Sequence, residues 1–302
     1  MPRLALLPVI VVVLAALSSP GTPVSAATTC EGHAADFVGT PGNDVILGTP
    51  GADVIVGGRG SDRIMGSSGK DIICGGPGDD TIVGGADKDR LFGESGDDTI
   101  QGGTDEDLIT GGNGDDQLMG GVDDDVISSG RGEDKVWGDE PAFLAAEYTG
   151  DDIIDAGPGD DEVQGGNGDD MIDAGSGDDE VYGDAIPGFF PPRDPGDDVI
   201  KAGAGEDEVY GGAGDDRIIA GADDDVIEGE RGADYIDGGA GADEIGGGPD
   251  NDTLLGSLGA DLIHGNSGTD NVDGGAGIDE CYDLPTGDPG DDILKRCENL
   301  PA

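Results

Sequence analysis

The stretch that decides the fold is GTPGNDVIL (39–47), GTPGADVIV (48–56), GGRGSDRIM (57–65), GSSGKDIIC (66–74) and GGPGDDTIV (75–83). Set in nines, the segments share one template, G-G-x-G-x-D-x-U-x, with U a large aliphatic residue. Position six carries the test. It is Asp44, Asp53, Asp62, Asp71, Asp80, Asp89, Asp98, Asp107, Asp116, Asp125 and Asp134 in a first block. After an interruption it is Asp152, Asp161, Asp170 and Asp179. After a second it is Asp198, Asp207, Asp216, Asp225, Asp234, Asp243, Asp252, Asp261, Asp270 and Asp279. Asp292, between Gly290 and Leu294, reads as a degenerate further unit. Position eight keeps the same phase, from Ile46, Ile55 and Ile64 to Val272, and ends on Cys281. Acidic low complexity does not hold two rows in register over such a length. A fixed period is the mark of a repeat architecture, whose units bury a common core only by stacking.

The residue types set the geometry. Glycine reaches positive φ and turns tightly. The aliphatic, β-branched run around position eight favours a short strand. Alternation along a strand points position eight inward and positions seven and nine outward. Each unit is then one turn and one strand, and two units close a coil of about 18 residues. The expected fold is all-β: a parallel β-roll, or β-solenoid, of nonapeptide repeats. About thirteen coils at ~4.8 Å spacing give a rod roughly 60 Å long.

Composition says what such a rod requires. Asp and Glu outnumber Lys and Arg by 68 to 14, for a formal net charge of -54, and aromatic residues are 4% of the chain. A chain of this kind stays unfolded by self-repulsion unless cations neutralise it. It also lacks the basic surface that nucleic-acid binding needs. The turns can supply the cation sites. Calcium takes six to eight oxygens from carboxylates and carbonyls. A glycine turn exposes carbonyls, and position six adds a carboxylate. Turns two units apart stack on one edge, so that Asp44 with Asp62, or Asp53 with Asp71, can share an ion. Asx-turns account for aspartate in turns but not for the strict phase. All-oxygen ligands disfavour zinc or copper. About 20 ions, one per intact pair of turns, bring on the order of 40 positive charges, comparable to the deficit.

The repeat resembles that of the RTX, or haemolysin-type calcium-binding, family over residues 39–282. The resemblance implies calcium ligation by each position-six aspartate named above, and strands stacked as a parallel β-roll. Two departures stand out. Position four is Asp87, Asp105, Asp123, Asp223 or Asp250 where the family has glycine. Many family members also carry a toxin or enzyme domain and a C-terminal export signal. This chain instead looks like the stand-alone, exported members with cysteine-fastened ends.

The N-terminus supports export. Arg3, the apolar run Leu4–Leu17 and Val24-Ser25-Ala26 read as a signal peptide over 1–26. The run is shorter than the ~20 residues of a membrane span, and no second such run follows. Residues 27–38 then form an N-terminal cap, 39–282 the roll, and 283–302 a C-terminal cap. An exported chain implies disulfides. Four cysteines allow three pairings. Cys30 and Cys74 flank the start of the repeats and Cys281 and Cys297 the end, which favours Cys30–Cys74 and Cys281–Cys297.

The repeat breaks near 139–149 and 184–195. Each break reads as a turn whose position-three residue has grown into a loop. Counted through the breaks, these are units 12 and 16, and the tail break is unit 26, so all three leave the same edge. The loops hold Phe143, Tyr148, Phe189, Phe190, Pro187, Pro191 and Pro192. Tolerated insertion is the plainer reading, and a partner site the other. Early outward positions (Val45, Leu47, Val54, Val56, Met65, Val83, Phe92) are apolar, as expected of a β-prone surface or a dimer face.

The leading functional expectation is extracellular calcium binding that folds the chain into a rigid rod. The alternative is a calcium-dependent adhesive or glycan-binding surface, with an unidentified cell-surface partner. Enzymatic activity is disfavoured. His33 and His264 are the only histidines, and neither HExxH nor GxSxG occurs.

Overall fold

The computed structural model describes residues 29–139, 150–184, 196–282 and 293–297. All regular structure among them is strand. Two parallel sheets face each other: 13 strands from Val45–Leu47 to Glu280–Tyr282, and 14 from Phe37–Val38 to Ile293–Lys295. Successive units alternate between the sheets, so each strand pairs with strands two units away. Ile100 lies between Ile82 and Leu118, and Ile109 between Leu91 and Ile127. The expected β-solenoid is therefore observed. Among the described residues no helix is long and apolar enough to cross a membrane.

The core is the position-eight row. From Ile55 to Val272 these side chains are at most 1% exposed and form one continuous cluster. Ile46, in the first coil, is only partly buried, and its strand is the end strand of the 13-stranded sheet among the described residues. Burying one such side chain is worth about 1.5–3 kcal/mol.

The strands are longer than the residue types suggest. Most run six residues, such as Thr81–Ala86 and Arg217–Ala222, and cross positions seven to nine and then one to three of the next unit. The reason is the backbone. Gly103 has φ +130 and still pairs with Gly85, and a Cβ there would run into the Gly85 carbonyl oxygen. Glycine lets the ladder continue through a conformation closed to most side chains. The position-four aspartates keep that left-handed backbone as well: φ is 72 at Asp87, 71 at Asp105, 72 at Asp123, 83 at Asp223 and 94 at Asp250. Aspartate tolerates this region better than most residues do, so the departure from glycine leaves the turn intact.

Both disulfides pair as expected, Cys30–Cys74 and Cys281–Cys297, each with Cα atoms 5.7 Å apart. The first fixes a hairpin, Thr29–Cys30 against His33–Ala34, over the outer face of the 14-stranded sheet. That placement divides the early apolar residues. Val56 is buried beside the disulfide, with Val54 and Phe92 packed around it. Val45, Leu47 and Met65, on the other sheet, are exposed. The sequence did not separate these two sets.

The interruptions leave one edge, as the unit count predicts. Lys135–Asp139, Glu180–Asp184 and Glu280–Tyr282 all belong to the 13-stranded sheet, and the chain re-enters the 14-stranded sheet each time. One strand separates the first two exits. Residues 1–26, Asp292 and the loop aromatics and prolines, Phe143, Tyr148, Phe189, Phe190, Pro187, Pro191 and Pro192, lie outside the described residues. The strand after Asp292 is present, with Leu294 paired to Val272.

Ile172 is 1% exposed and its neighbour Met171 is 51% exposed. Ile172→Ala is expected to cost about 2–5 kcal/mol by cavity formation. Met171→Thr is expected to stay within about 0.5 kcal/mol. Denaturant unfolding of disulfide-intact protein in excess calcium measures both, and equal effects would contradict the inward assignment of position eight.

Candidate metal sites

The position-six aspartates form two columns, one along each edge of the solenoid. Every one from Asp62 to Asp279 is at most 3% exposed. Burial of so many carboxylates without cationic partners is abnormal, since each needs compensation. Half of it comes from the backbone. Oδ1 of Asp62 accepts the amide N–H of Asp44, 18 residues earlier, at 2.7 Å, and Oδ1 of Asp98 accepts that of Asp80 at 2.7 Å. The bonds cross the interruptions without a break, from Asp125 to Asp152 and from Asp170 to Asp198, where the separation is 27 or 28 residues. Aspartate carbonyls stitch the same coils: Thr81 N–H donates to Asp62 at 2.8 Å.

The other oxygen has no such partner. From Asp62 to Asp261, Oδ2 of every position-six aspartate is buried without a hydrogen bond. It faces the position-one residue of its own unit. A Cβ on Gly57 would stand 2.6 Å from Asp62 Oδ2 and 2.5 Å from the carbonyl oxygen of Gly75; one on Gly211 would stand 2.6 Å from Asp216 Oδ2 and 2.8 Å from that of Gly229. Two oxygens thus converge on a small space with no hydrogen between them. Such an arrangement needs a proton or a cation. A carbonyl that already accepts one amide keeps a second lone pair. Among the described residues no three His, Cys, Asp or Glu side chains gather around a point. An ion here would therefore draw on few carboxylates and on peptide carbonyls, as a hard cation does.

Asp44 and Asp53 differ. Their units carry threonine at position two, and Thr49 donates to Asp53 Oδ2 from its amide at 2.6 Å and from its hydroxyl at 2.9 Å. Thr40 does the same for Asp44. The two oxygens are already satisfied at this end of the rod. Position one is also uneven. It is glycine throughout the column from Gly48 to Gly265, but on the other edge it is Ser129, Ala156, Ala174, Ala202 and Ala220 in successive coils, all fully buried. There a side chain fills the space. Both features stand in the sequence, but the template alone does not rank them.

Burial dominates the proton affinities. It pushes Asp71 up to about 6, and Asp89, Asp98 and Asp107 to about 7, against the lowering effect of the amide each accepts. Neighbouring carboxylates add to the rise. Asp125 reaches about 9 and Asp170 about 10, each beside other column members.

A profile of the RTX calcium-binding nonapeptide repeat, four copies long, matches residues 38–73, 75–109, 110–140, 148–185, 194–227, 210–245, 219–254 and 246–281. No curated protein matches the chain.

A carboxylate with a raised pKa holds its proton more tightly in the fold than in the unfolded chain. Without metal, support for the fold is therefore full below the unfolded value of about 4. It is lost as the pH rises through the folded values of about 6 and 7 at Asp71 and Asp89. In chelator, the far-ultraviolet β signal is expected to fall between about pH 4 and pH 8. In excess calcium it is expected to hold across that range, because deprotonated ligands bind metal better. A signal independent of pH in chelator would contradict carboxylate burial.

Proposed function

Because the chain belongs to the RTX calcium-binding nonapeptide-repeat family, we propose that it is an exported, non-enzymatic calcium-binding protein whose position-six aspartates hold the ions and whose rod forms as they bind. The observation that carries this reading is the columns of buried Oδ2 atoms without partners, from Asp62 to Asp261. Calcium, when bound, supplies positive charge and accepts several oxygen ligands at once. The chain's own residues do the rest. Each aspartate uses Oδ1 to fix the amide one coil earlier, which aims Oδ2 at the position-one carbonyls. Sites are therefore assembled only when coils stack, so that binding free energy becomes folding free energy. Asp44 and Asp53, already satisfied by threonine, and Asp134, Asp161, Asp179, Asp207 and Asp225, whose position-one residue carries a side chain, are the weaker ligands of the set. The disulfides Cys30–Cys74 and Cys281–Cys297 support an oxidising destination.

A second reading, an adhesive or glycan-binding surface, is favoured by one observation. Trp137, Tyr182, Tyr210, His264 and Tyr282 share position nine on the outer face of the 13-stranded sheet. Tyr182 and Tyr210 stack with centroids 5.0 Å apart, and His264 and Tyr282 at 5.2 Å. Aromatic rows of this kind suit flat apolar sugar faces. Glycan capture that needs calcium and is lost in Tyr210→Ala would support it.

Calcium titration of chelated, oxidised protein followed by far-ultraviolet circular dichroism tests the leading reading. A cooperative gain of β signal is expected with calcium and not with magnesium, which demands stricter octahedral geometry. A chain that stays unstructured at several millimolar calcium would falsify it.

A further inference from the structure

Both interruptions of the solenoid begin with the same two residues, Gly138-Asp139 and Gly183-Asp184, in which aspartate stands at position two. In an uninterrupted turn the position-two carbonyl accepts the amide of position three one coil on. Gly157 O accepts Ser176 N–H at 2.9 Å, and Ser257 O accepts Ala276 N–H at 2.7 Å. At the interruptions the side chain takes over this task. Asp139 Oδ2 accepts the Asn167 amide at 2.8 Å and its Nδ2 at 3.1 Å. Asp184 Oδ2 accepts the Ala213 amide at 2.7 Å. The carboxylate thereby turns inward beneath the next coil, where a Cβ on Gly166 would stand 2.8 Å from Asp139 Oδ2 and one on Gly212 would stand 2.6 Å from Asp184 Oδ2.

A single acceptor needs no charge, and an asparagine would serve. Each aspartate instead carries a second oxygen, Oδ1, which is buried without a hydrogen bond, in a residue only 5% exposed. It adds a negative group to a column that is already uncompensated. The charge of Asp139 acts on Asp125, Asp152 and Asp170, three successive members of that column. That of Asp184 acts on Asp198 and Asp216. Position one in both turns is glycine, so no side chain stands between the converging oxygens. A Cβ on Gly138 would run into Asp152 Oδ2 and the Gly165 carbonyl oxygen, and one on Gly183 into Asp198 Oδ2 and the Gly211 carbonyl oxygen.

We propose that Asp139 and Asp184 are additional calcium ligands, and that the turns opening the two interruptions are the tightest ion sites of the rod, each joining a position-two to a position-six carboxylate. The inference rests on the reading of the columns as calcium sites. Ligand charge count is a main determinant of calcium affinity. One added carboxylate is expected to raise affinity about tenfold.

The molecule carries its own reporter for the first of these sites. Trp137, the one tryptophan of the chain, lies two residues before Asp139. Terbium, a hard trivalent ion with calcium-like oxygen preference, emits when a nearby indole is excited. Terbium titration of the oxidised full chain, read through Trp137, is expected to saturate at about tenfold lower ion concentration in the wild type than in Asp139→Asn. Asn keeps the acceptor for the Asn167 amide, and calcium-induced circular dichroism checks that the variant folds. Asp184→Asn should leave the tryptophan-sensitised midpoint unchanged. In parallel, calcium titration of the wild type against a chromophoric chelator is expected to show two ions bound ahead of the rest, and the double variant to lose that early phase. Equal terbium midpoints for wild type and Asp139→Asn, or one uniform class of sites in the wild-type calcium titration, would overturn the proposal and leave the calcium reading standing. A wild type that binds neither ion overturns the calcium reading itself.

Discussion

A carboxylate buried in a glycine turn, with one oxygen bonded and the other bare, is the constraint on which the rest of this molecule depends. It repeats along both edges of the solenoid. The bonded oxygen is a structural device: it ties each turn to the amide one coil earlier, as in Asp80 to Asp98. The bare oxygen is a cost. Apolar burial is modest, because each unit contributes one large aliphatic side chain such as Ile100 or Ile218 to a narrow seam, joined by a position-one alanine in only four units. Set against a formal charge of -54, that seam does not by itself account for a stable rod. The side chains that align the coils are also the ones that repel.

The two ends pose a separate problem. A solenoid exposes an unpaired strand and the end of its core at each terminus. Here covalent closure takes the place of further repeats. Cys30–Cys74 lays a hairpin across one outer face and buries Val56. At the far end Cys281 occupies position eight, so the disulfide to Cys297 stands where the next aliphatic contact would be. Among the described residues the first coil of the 13-stranded sheet has no comparable cover, and Val45 there is 74% exposed.

The solenoid, its parity and its two columns of aspartate were legible because they depend on period, and two rows of residues fix a period. Position six and position eight gave the coil length, the inward row and the common edge of the interruptions. What was not legible depends on backbone rather than on side-chain type. The ladder continues through Gly85 and Gly103 at positive φ, although glycine reads in sequence as the end of a strand. Likewise the cover over Val54 and Val56 follows from where a disulfide swings its hairpin, which spacing alone does not state. Threonine at 40 and 49 was visible, but its effect appears only when the hydroxyl is seen on Asp44 and Asp53.

Asp139 and Asp184 belong to the same class. In sequence they are two acidic residues among many. Their role emerges from a backbone group they replace, because each interruption diverts the chain just where a carbonyl should have received the amide of Asn167 or Ala213. The middle of the rod is then asymmetric in a way the template does not foresee. On the edge with the interruptions, position one stays glycine and buried acid is added. On the opposite edge of the same coils, position one becomes Ser129, Ala156, Ala174, Ala202 and Ala220, and a side chain fills the space beside each carboxylate. A solenoid of nominally identical units thus concentrates its uncompensated charge along one edge near its centre, and it is from this edge that the inserted segments depart.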